Sequence, residues 1–335
     1  MLASDFEYVL PPERIAQSPL EDRAASRMLV LHRDRGVWED RLFRDLPGYL
    51  APGDCLVLND TRVFPARLYG HRAGCTGHVE VFLVRPLPGD GRTWLVLARP
   101  GRKLRTGDRV LFDDQLQCEI LGRNEHGERI VRVHCQGDFD AVIDRIGHVP
   151  LPPYIRRADT AGDRDRYQTV FALERGSVAA PTAGLHFTDA VLEECRAAGA
   201  AIARVTLHVG LGTFQPLSSD DLGQVRLHAE WYRVSDEAAA AIGAARRVMA
   251  VGTTAVRTIE TTGGAAGSGE TSLFIAPGFQ FRLTGAMLTN FHLPRSSLLV
   301  LVAALGGRDL VLAAYRHAVE SGYRFYSYGD CMLIL

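Results

Sequence analysis

The sequence predicts an α/β domain that is built from both ends of the chain and interrupted by a β-rich insertion. The chain has 335 residues, which is more than one compact core normally serves. After Pro150, helical and strand patterns alternate, as expected for a layered α/β structure. Between about residues 66 and 149 the pattern changes to short alternating strands with turn signals. That pattern is typical of a small β-barrel or a sandwich.

The amino-terminal part is predicted to contribute three strands to the α/β domain. Residues 27–32 and 37–40 have the pattern of a hairpin. An amphipathic stretch then leads to a further strand over residues 55–58. This arrangement indicates the edge of a mixed sheet.

The carboxyl-terminal part is predicted to alternate between helices and strands. Thr188 and Ser235 are expected to cap two helices, a strand follows the first over residues 201–209, and a buried strand follows the second over residues 248–252. Residues 262–269 are rich in glycine, alanine and serine, which predicts a flexible surface connection.

The composition excludes several functional classes. Apolar residues make up 47% of the chain and charged residues 23%, which excludes wholesale disorder. The formal net charge is -1, so any polyanion must be bound by a local patch. Lys103 is the single lysine, and this argues against a P-loop or Schiff-base lysine.

The cysteines and the amino terminus predict the cellular environment. The six cysteines include no C-x-x-C pair, which disfavours structural zinc and a disulfide framework, so no metal site is expected. The amino terminus is acidic where a signal peptide would be basic. The longest apolar run, near residues 298–305, is far shorter than the roughly 20 residues that a bilayer requires. We therefore expect a soluble, cytoplasmic protein.

Positive charge is concentrated in the β-rich insertion. Residues 62–109 contain ten basic and three acidic side chains, a net charge of 10 - 3 = +7. One loop carries four of the basic residues: Arg99, Arg102, Lys103 and Arg105. Such clustering fits contacts with a phosphate backbone, and it equally fits a solvated hairpin balanced by the acidic residues that follow.

A polar cluster lies at residues 179–188, directly before the helix that Thr188 is expected to cap. Small residues let the backbone approach a ligand closely, and the first turn of a helix offers N–H donors. A turn followed by a helix cap is the structural alternative. A histidine among small residues favours a binding site, with the candidates Thr182, Ala183, Gly184, Leu185, His186 and Phe187.

A second candidate site follows the strand predicted over residues 201–209. Its Gly-x-Gly turn resembles a dinucleotide fingerprint, but the third glycine is missing and Pro216 follows where a helix should continue. A strand end with exposed backbone still fits ligand binding, and a structural turn is the alternative. The candidate residues are His208, Gly210, Gly212, Thr213 and Phe214.

Two further groups combine charged or titratable side chains. His228, Glu230 and Tyr232 would share one face of a strand, which fits either an acid/base pair or an exposed ion pair. Arg257 and Glu260 lie three residues apart in a predicted helix. That spacing fits either an internal ion pair or an arginine that binds a substrate carboxylate.

Short motifs are distributed nearly from end to end along the chain. They include Leu58-Asn59-Asp60-Thr61-Arg62, Leu151-Pro-Pro-Tyr154-Ile155, Ala180-Pro-Thr-Ala-Gly-Leu-His-Phe-Thr188, His208-Val-Gly-Leu-Gly-Thr-Phe214, Thr289-Asn-Phe-His-Leu-Pro294 and Tyr323-Arg-Phe-x-Ser-Tyr-Gly329-Asp330. Taken in order, these segments resemble the S-adenosylmethionine:tRNA ribosyltransferase-isomerases of queuosine biosynthesis. Two small departures are Gln215, where a basic residue is common, and Cys331, where a small residue is common.

The resemblance implies a fold and a reaction. The fold is a three-layer α/β/α domain with a mixed sheet, here residues 1–63 and 150–335, interrupted by a small β-barrel at residues 64–149. The reaction moves the ribosyl part of S-adenosylmethionine to 7-aminomethyl-7-deazaguanine at the tRNA wobble position, and it releases adenine and methionine. S-adenosylmethionine is consumed as a substrate, so no separate cofactor is expected.

That reaction defines which side chains are needed. A base must remove a ribose C5′ hydrogen that the sulfonium acidifies, and the pocket should be aromatic and poor in water. As a hypothesis, the acid/base set is His186, His208 and Glu230. The pocket for adenosine and methionine would include Thr182, Ala183, Gly184, Leu185, Gly210, Gly212, Thr213 and Arg257. Aromatic candidates to face the sulfonium are Phe187, Phe214 and Tyr232.

The implied partner is a precursor-modified tRNA bound through its anticodon stem-loop. The positive face of the insertion is expected to contact it, with the candidates Asp60, Arg62, Arg102, Lys103 and Arg105. No membrane partner is expected, and a monomer is the simplest state.

Three other functions compete with this prediction. A methyltransferase would produce S-adenosylhomocysteine instead of adenine and methionine. A non-catalytic RNA-binding protein would bind tRNA without turnover. A nicotinamide-dependent oxidoreductase has the least support, because the third glycine and an acidic ribose ligand are missing.

Overall fold

A mixed sheet of nine strands forms the centre of the α/β domain within the residues that the structure describes. This computed structural model describes residues 1–125, 127–210, 217 and 219–335. In order across the sheet, the strands are β15 (Gly267–Thr271), β13 (Glu230–Val234), β12 (Ala201–Leu207), β3 (Asp54–Asn59), β14 (Arg247–Val251), β16 (Thr284–Asn290), β17 (Cys331–Ile334), β1 (Arg27–His32) and β2 (Val37–Leu42). Both chain ends therefore contribute to one sheet, as predicted.

Four central strands of the sheet run parallel to one another. β12, β3, β14 and β16 form this group, and Val57 of β3 pairs with Ala203 on one side and with Ala250 on the other. Parallel strands covered on both faces are apolar along their whole length, and every residue of β3 is buried. The carboxyl ends of the four strands meet at one edge, which is where open α/β sheets bind ligands.

Alternate side chains of the strands face two separate hydrophobic cores. In β3, Cys55 and Val57 belong to one core, whereas Leu56 and Leu58 belong to the other. The first core includes α4 (Asp236–Gly243), α5 (Thr253–Thr262), α6 (Ser297–Gly306) and α7 (Arg308–Glu320). The second includes α3 (Asp189–Ala197) and the 3-10 helix Phe43–Tyr49. Helices thus cover both faces, and the three-layer prediction is confirmed.

Within the described residues, the insertion forms a closed barrel of six antiparallel strands, which confirms the barrel prediction. In order, the strands are β10 (Arg129–Cys135), β7 (Thr93–Arg99), β6 (His78–Pro86), β5 (Arg67–Arg72), β8 (Arg109–Leu111) and β9 (Leu116–Arg123). Val142 and Ile143 of α1 (Phe139–Ile146) pack into its core. All six strands lie within residues 64–149, and the boundaries themselves stay a prediction.

Two short strands connect the barrel with the α/β domain. β4 (Thr61–Val63) lies where the chain enters the barrel, and β11 (Glu174–Ser177) lies after the chain has returned. The two strands pair in parallel, with Arg62 opposite Arg175. The returning segment also contains the short helix α2 (Asp163–Arg166). Entry and return segments therefore lie side by side next to the end of β3.

The structure corrects two details of the predicted sheet. β3 is a central strand, although the local pattern indicated a sheet edge. Residues 267–271 form the edge strand β15 paired with β13, although the composition predicted a flexible loop. Both outcomes depend on pairing with distant strands, which local composition does not reveal. The two helix caps are confirmed, because Thr188 accepts from the backbone N–H of Val191 and Ser235 from that of Ala238.

Within the described ranges, no single helix is long and apolar enough to cross a membrane. α6 and α7 meet that length and composition only when they are counted together, and they are bent by 114°. Gly307, with a φ of +83°, lies at the bend.

A buried carboxylate anchors the segment that returns from the barrel. Asp163 is 2% exposed and accepts two hydrogen bonds of 2.7 Å from Arg157. It also accepts from the backbone and hydroxyl of Thr160, at 2.8 and 2.9 Å, and from the Tyr328 hydroxyl at 2.8 Å. Burial alone would raise the pKa of Asp163, but these donors outweigh it and hold the pKa far below its ordinary value.

Replacing Asp163 by asparagine should lower the free energy of unfolding by about 3 kcal/mol at neutral pH, because Arg157 loses its charged partner. The carboxylate contribution is fully present above the unfolded pKa of about 3.9 and is lost as the pH falls toward the depressed folded pKa. Urea unfolding at pH 7 and pH 3 measures both effects. Asp165→Asn, on the exposed side of α2, is the control. Equal stability of the two variants at pH 7 would contradict the anchoring role.

Candidate active site

A cavity of about 370 Å³ opens where the parallel strands end. Gly252 and Thr253, which follow β14, form part of its lining, as does Asn290 at the end of β16. Thr182 and Ala183 from the predicted polar cluster line it as well. We call this space cavity A. Its position matches the usual ligand site of open α/β sheets.

A buried asparagine holds the strand ends beside cavity A together. Asn59, at the end of β3, is 1% exposed. Its Nδ2 donates to the carbonyl of Leu207 (3.0 Å) and to Oγ1 of Thr254 (3.1 Å). Its Oδ1 accepts from the backbone N–H groups of Leu207 (3.0 Å) and Thr61 (3.1 Å). The side chain therefore joins β3 to β12, β4 and the first turn of α5.

Gly252 connects β14 to α5 in a conformation that requires glycine. Its φ and ψ are +86° and 155°, a region that side-chain-bearing residues essentially never adopt. The turn brings the first residues of α5 into the lining of cavity A. N–H groups in the first turn of a helix have no helical partner and are available to a ligand.

Two buried polar atoms beside cavity A have no hydrogen-bond partner within the part of the chain that the structure describes. They are Oδ1 of Asn290 and the hydroxyl of Tyr326, on residues that are 2% and 6% exposed. Tyr326 has a φ of +72°, which costs a side-chain-bearing residue about 1–3 kcal/mol. A turn holds it there, since the N–H of Gly329 donates to its carbonyl at 2.8 Å. Such unpaired atoms require an explanation, and a bound ligand supplies one.

Aromatic side chains form a wall of cavity A. Tyr154, Phe291 and Tyr326 line it, and the ring centroids of Tyr154 and Tyr326 are 4.2 Å apart. Sequence reasoning assigned none of them to the site. They come from three distant segments, and the available signal was that each segment carries a family motif.

A larger cavity, of about 760 Å³, lies between the barrel and the sheet. We call it cavity B. Arg85 and Leu95 contribute from the barrel, and His208, Glu230 and Trp231 contribute from the α/β domain. Among the described residues, three line both cavities and make them neighbours: Val209, Leu217 and Leu298.

His208 is held firmly at the lining of cavity B. Its Nδ1 lies 2.8 Å from Oγ1 of Thr61, and its ring stacks on Trp231 with 5.0 Å between centroids. A Cβ at Gly176 would lie 2.6 Å from Nε2, so glycine is needed there to make room for the imidazole. Burial lowers the pKa of His208, and Glu174 opposes this only in part. The imidazole is therefore neutral at pH 7 and can accept a proton.

Glu230 pairs with Arg257 beside cavity B. Its Oε2 accepts from Nη1 of Arg257, and its Oε1 accepts from the backbone N–H of Gly210 at 2.8 Å. Arg257 also donates to two backbone carbonyl groups, at 3.1 and 3.3 Å. The alternative of an internal pair with Glu260 is wrong, because Glu260 accepts from Thr284 instead. Arg257 therefore pairs with a carboxylate of the protein itself. The other alternative from the sequence was that Arg257 binds a substrate carboxylate.

His186 lies behind cavity A and belongs to the lining of neither cavity. Its Nδ1 is 2.9 Å from Oγ of Ser26, and its Nε2 is 3.3 Å from Nδ2 of Asn290. Burial, with a smaller contribution from Arg23, lowers the pKa of His186 to about 4. The structure therefore does not bring His186 together with His208 and Glu230.

Several other predicted pocket residues pack into the protein interior. Gly184 is small because a Cβ there would lie 2.7 Å from the ring of Phe171. Leu185 and Phe187 belong to two hydrophobic cores, and Phe187 is fully buried. Tyr232 packs against the cluster of Ala179, Leu207 and Val209. These four residues contribute to packing and do not line either cavity, so their assignment to the cavity wall is corrected.

The glycine-rich turn after β12 is described only at its start. Gly210 lines cavity B and donates its N–H to Glu230. Gly212, Thr213 and Phe214 lie outside the described residues. Their assignment to the substrate pocket stays a prediction.

Four of the five residues predicted to contact tRNA are exposed: Arg62, Arg102, Lys103 and Arg105. Asp60 is not, because it is 6% exposed and accepts a hydrogen bond of 2.7 Å from the Thr206 hydroxyl. Burial raises the pKa of Asp60. Asp60 therefore supports the strand ends from inside, and its assignment to an RNA-binding surface is corrected.

Comparison with known proteins identifies the family. The model of the family described as queuosine biosynthesis protein matches residues 3–334. The chain belongs to this family. Two curated proteins named S-adenosylmethionine:tRNA ribosyltransferase-isomerase are 63% identical (Solibacter usitatus) and 52% identical (Moorella thermoacetica), with all of both chains covered. The family predicted from the motifs is therefore confirmed.

A solved structure supports the same assignment. The crystal structure of S-adenosylmethionine tRNA ribosyltransferase from Thermotoga maritima is 40% identical in sequence. The match covers 99% of this chain and 100% of that one, with a TM-score of 0.55. The likeness thus extends over both the sheet and the barrel.

Replacing His292 by glutamine should change how stability depends on pH. His292 lines cavity A, and burial lowers its pKa from 6.5 to about 3. Its contribution to stability is fully present above pH 6.5 and is lost as the pH falls toward 3, because only the unfolded chain takes up the proton. Between pH 7 and pH 4.5 the wild type should lose about 2–3 kcal/mol more than the variant.

Urea unfolding of both proteins at the two pH values measures this difference. His78→Gln, at an exposed position on β6, is the reference variant. Equal losses in wild type and His292→Gln would show that His292 is not held neutral by burial.

Proposed function

We propose that the chain transfers the ribosyl part of S-adenosylmethionine to 7-aminomethyl-7-deazaguanine at the wobble position of a tRNA, giving epoxyqueuosine-tRNA, adenine and methionine. The observation that carries this proposal is the pair of adjoining cavities at the carboxyl ends of the parallel strands. A two-substrate reaction needs two binding spaces that meet. Family membership and the names of the relatives support the reaction class.

Cavity A is the proposed site of S-adenosylmethionine. Its aromatic wall can face the sulfonium through Tyr154, which replaces Phe187 and Tyr232 in that role. Its buried polar atoms and the first turn of α5 offer hydrogen bonds to the polar groups of the substrate. S-adenosylmethionine is itself consumed, so we propose no further cofactor.

Cavity B is the proposed entrance for the modified wobble nucleotide. It lies between the barrel and the sheet, and Arg85, Arg175 and Arg226 line it. Trp231 is 37% exposed and stacks on His208, so it offers an aromatic face to an unstacked base. The anticodon loop would then lie across this opening, with the barrel along the stem. We propose that a monomer acts in the cytoplasm.

His208 is the proposed base that removes the C5′ hydrogen. It is neutral at pH 7, its orientation is held by Thr61, and it lines the cavity next to the proposed donor site. We propose that Glu230 and His186, the other two candidates of the acid/base set, have positioning roles. Glu230 accepts a hydrogen bond from the N–H of Gly210 and forms an ion pair with Arg257, and His186 contacts Asn290.

Replacing His208 by glutamine should slow adenine release by about 100-fold or more, because general-base catalysis contributes roughly 10²–10⁴-fold. The measurement is single-turnover release of labelled adenine from S-adenosylmethionine in the presence of precursor-modified tRNA. His186→Gln should lose less than about tenfold, since it keeps a hydrogen-bonding group beside Asn290.

His134→Gln is the control for these variants, because His134 lies on β10 of the barrel with an exposed side chain. Release by His208→Gln within tenfold of the wild type would exclude His208 as the base. Appearance of S-adenosylhomocysteine in place of adenine would instead identify a methyltransferase and refute the proposed reaction.

Reversing three charges on the barrel should weaken tRNA binding without changing the site. The triple variant Arg102→Glu, Lys103→Glu and Arg105→Glu removes exposed positive charges from one loop. Affinity should fall by about tenfold or more, and the slope of log K against log salt should become shallower by about 2–3. Filter binding or anisotropy at several salt concentrations measures both quantities.

The matched control reverses three exposed arginines outside the barrel: Arg35, Arg196 and Arg316. It changes the net charge equally and should leave the salt slope within about 0.5 of the wild type. The same loss in both triple variants would show that only net charge matters. An unchanged slope in the barrel variant would exclude this loop from the tRNA contact.

A further inference from the structure

We infer that Asn290 and Tyr326 form a recognition site for the amidine edge of a 6-aminopurine at the buried end of cavity A, and that His186 positions Asn290 for this contact. The inference deepens the proposed function and depends on it, because the purine would be the adenine of S-adenosylmethionine. Its starting point is two buried atoms that have no hydrogen-bond partner among the described residues, the Oδ1 of Asn290 and the hydroxyl of Tyr326.

The surroundings of Asn290 determine which way its amide points. Nδ2 lies 3.0 Å from the carbonyl of Tyr326 and 3.4 Å from that of Asp330, and carbonyl oxygens only accept. The nitrogen must therefore face the carbonyls. Oδ1 is left as an acceptor without a partner in the described part of the chain, on a residue that lines cavity A.

A chain of hydrogen bonds assigns the tautomer of His186 in the same way. The Ser26 hydroxyl donates to the carbonyl of Arg23 (3.2 Å), so its oxygen is free to accept from Nδ1–H of His186 (2.9 Å). Nε2 then carries the lone pair and accepts from Nδ2 of Asn290 (3.3 Å). A neutral imidazole is required for this arrangement, and burial keeps His186 neutral.

The charge distribution of cavity A indicates which part of the substrate reaches the buried end. Among the described lining residues, the charged side chains are Asp220 and Arg295, which form a pair 3.2 Å apart and are about half exposed. The zwitterionic methionine part belongs near this exposed pair, because burying unpaired charges is costly. Asn290 and Tyr326 are more than nine-tenths buried, and they suit an uncharged group.

Adenine presents the complementary pattern. Its exocyclic amine donates and the adjacent ring nitrogen accepts, so the amine can bind Oδ1 of Asn290 while the ring nitrogen accepts from the Tyr326 hydroxyl. Burial raises the pKa of Tyr326, which keeps the hydroxyl protonated as a donor. Hypoxanthine reverses this pattern, with an oxygen in place of the amine and a protonated ring nitrogen. The site should therefore reject a 6-oxopurine.

Binding of the free bases to the wild-type enzyme tests the recognition site without any variant. Calorimetric titration should detect adenine, and hypoxanthine should bind about 30-fold more weakly or beyond detection. Equal affinities would overturn the inference. This titration does not depend on turnover, so it separates failure of the recognition site from failure of the proposed reaction.

Kinetic discrimination tests the individual residues. Wild type should prefer S-adenosylmethionine over its 6-oxo analogue, with inosine in place of adenosine, by about 100-fold or more in kcat/KM. Asn290→Leu and Tyr326→Phe should each reduce this preference to about tenfold or less, and the matched control Tyr49→Phe should keep it. Full preference in Asn290→Leu or Tyr326→Phe would overturn the assignment. Absence of adenine release in the wild type would instead refute the proposed function.

Two variants of His186 test its positioning role separately. His186→Phe should raise the KM for S-adenosylmethionine by about three- to tenfold with kcat within about twofold, because only the amide orientation is disturbed. His186→Gln can accept from Asn290 through its own carbonyl oxygen and should restore most of the discrimination. Equal discrimination in the phenylalanine and glutamine variants would show that His186 does not position Asn290.

Discussion

The carboxyl edge of the parallel sheet depends on one buried side chain, the amide of Asn59. Its four hydrogen bonds join β3 to β12, β4 and α5. Removing this side chain would leave buried polar groups without these partners, at a cost of about 1–3 kcal/mol each. The next two residues extend the network, because Thr206 donates to Asp60 and Thr61 bonds to His208. Three consecutive residues thereby hold the strand end where the two cavities adjoin.

Most of the described groups that line cavity A are uncharged, and its charged pair, Asp220 and Arg295, is about half exposed. Burial keeps His208 and His292 neutral, while Glu230 and Arg257 neutralise one another beside cavity B. A substrate that carries a sulfonium would then meet few competing charges, and the low dielectric strengthens the contacts it does make. The barrel carries three exposed positive side chains in one loop, Arg102, Lys103 and Arg105, which suit a polyanion. Under the proposed function, the inserted domain would separate RNA binding from the chemistry.

Local sequence patterns predicted a structural feature correctly where the physical cause of that feature lies within a few residues. Thr188 caps α3 because its oxygen is next to the N–H groups it satisfies, and such caps can be predicted from consecutive letters. The edge strand β15 could not be predicted, since Gly-Ser-Gly becomes a strand only beside β13. Phe187 shows a second limit. An aromatic residue in a loop of small residues looks the same in sequence whether it lines a cavity or fills a core, because both environments are apolar.

By itself, the sequence determined the family and the layered fold with its inserted barrel. It also determined that histidines and carboxylates, and not lysines, are available for acid/base chemistry. The tertiary structure decided where those groups lie and which partners they have. It brings His208 to the lining of cavity B, encloses His186 between Ser26 and Asn290, and buries Asp60. The physical reason is that a side chain's protonation and reach depend on its burial and on partners from distant segments. Neither is specified by the residues next to it in the chain.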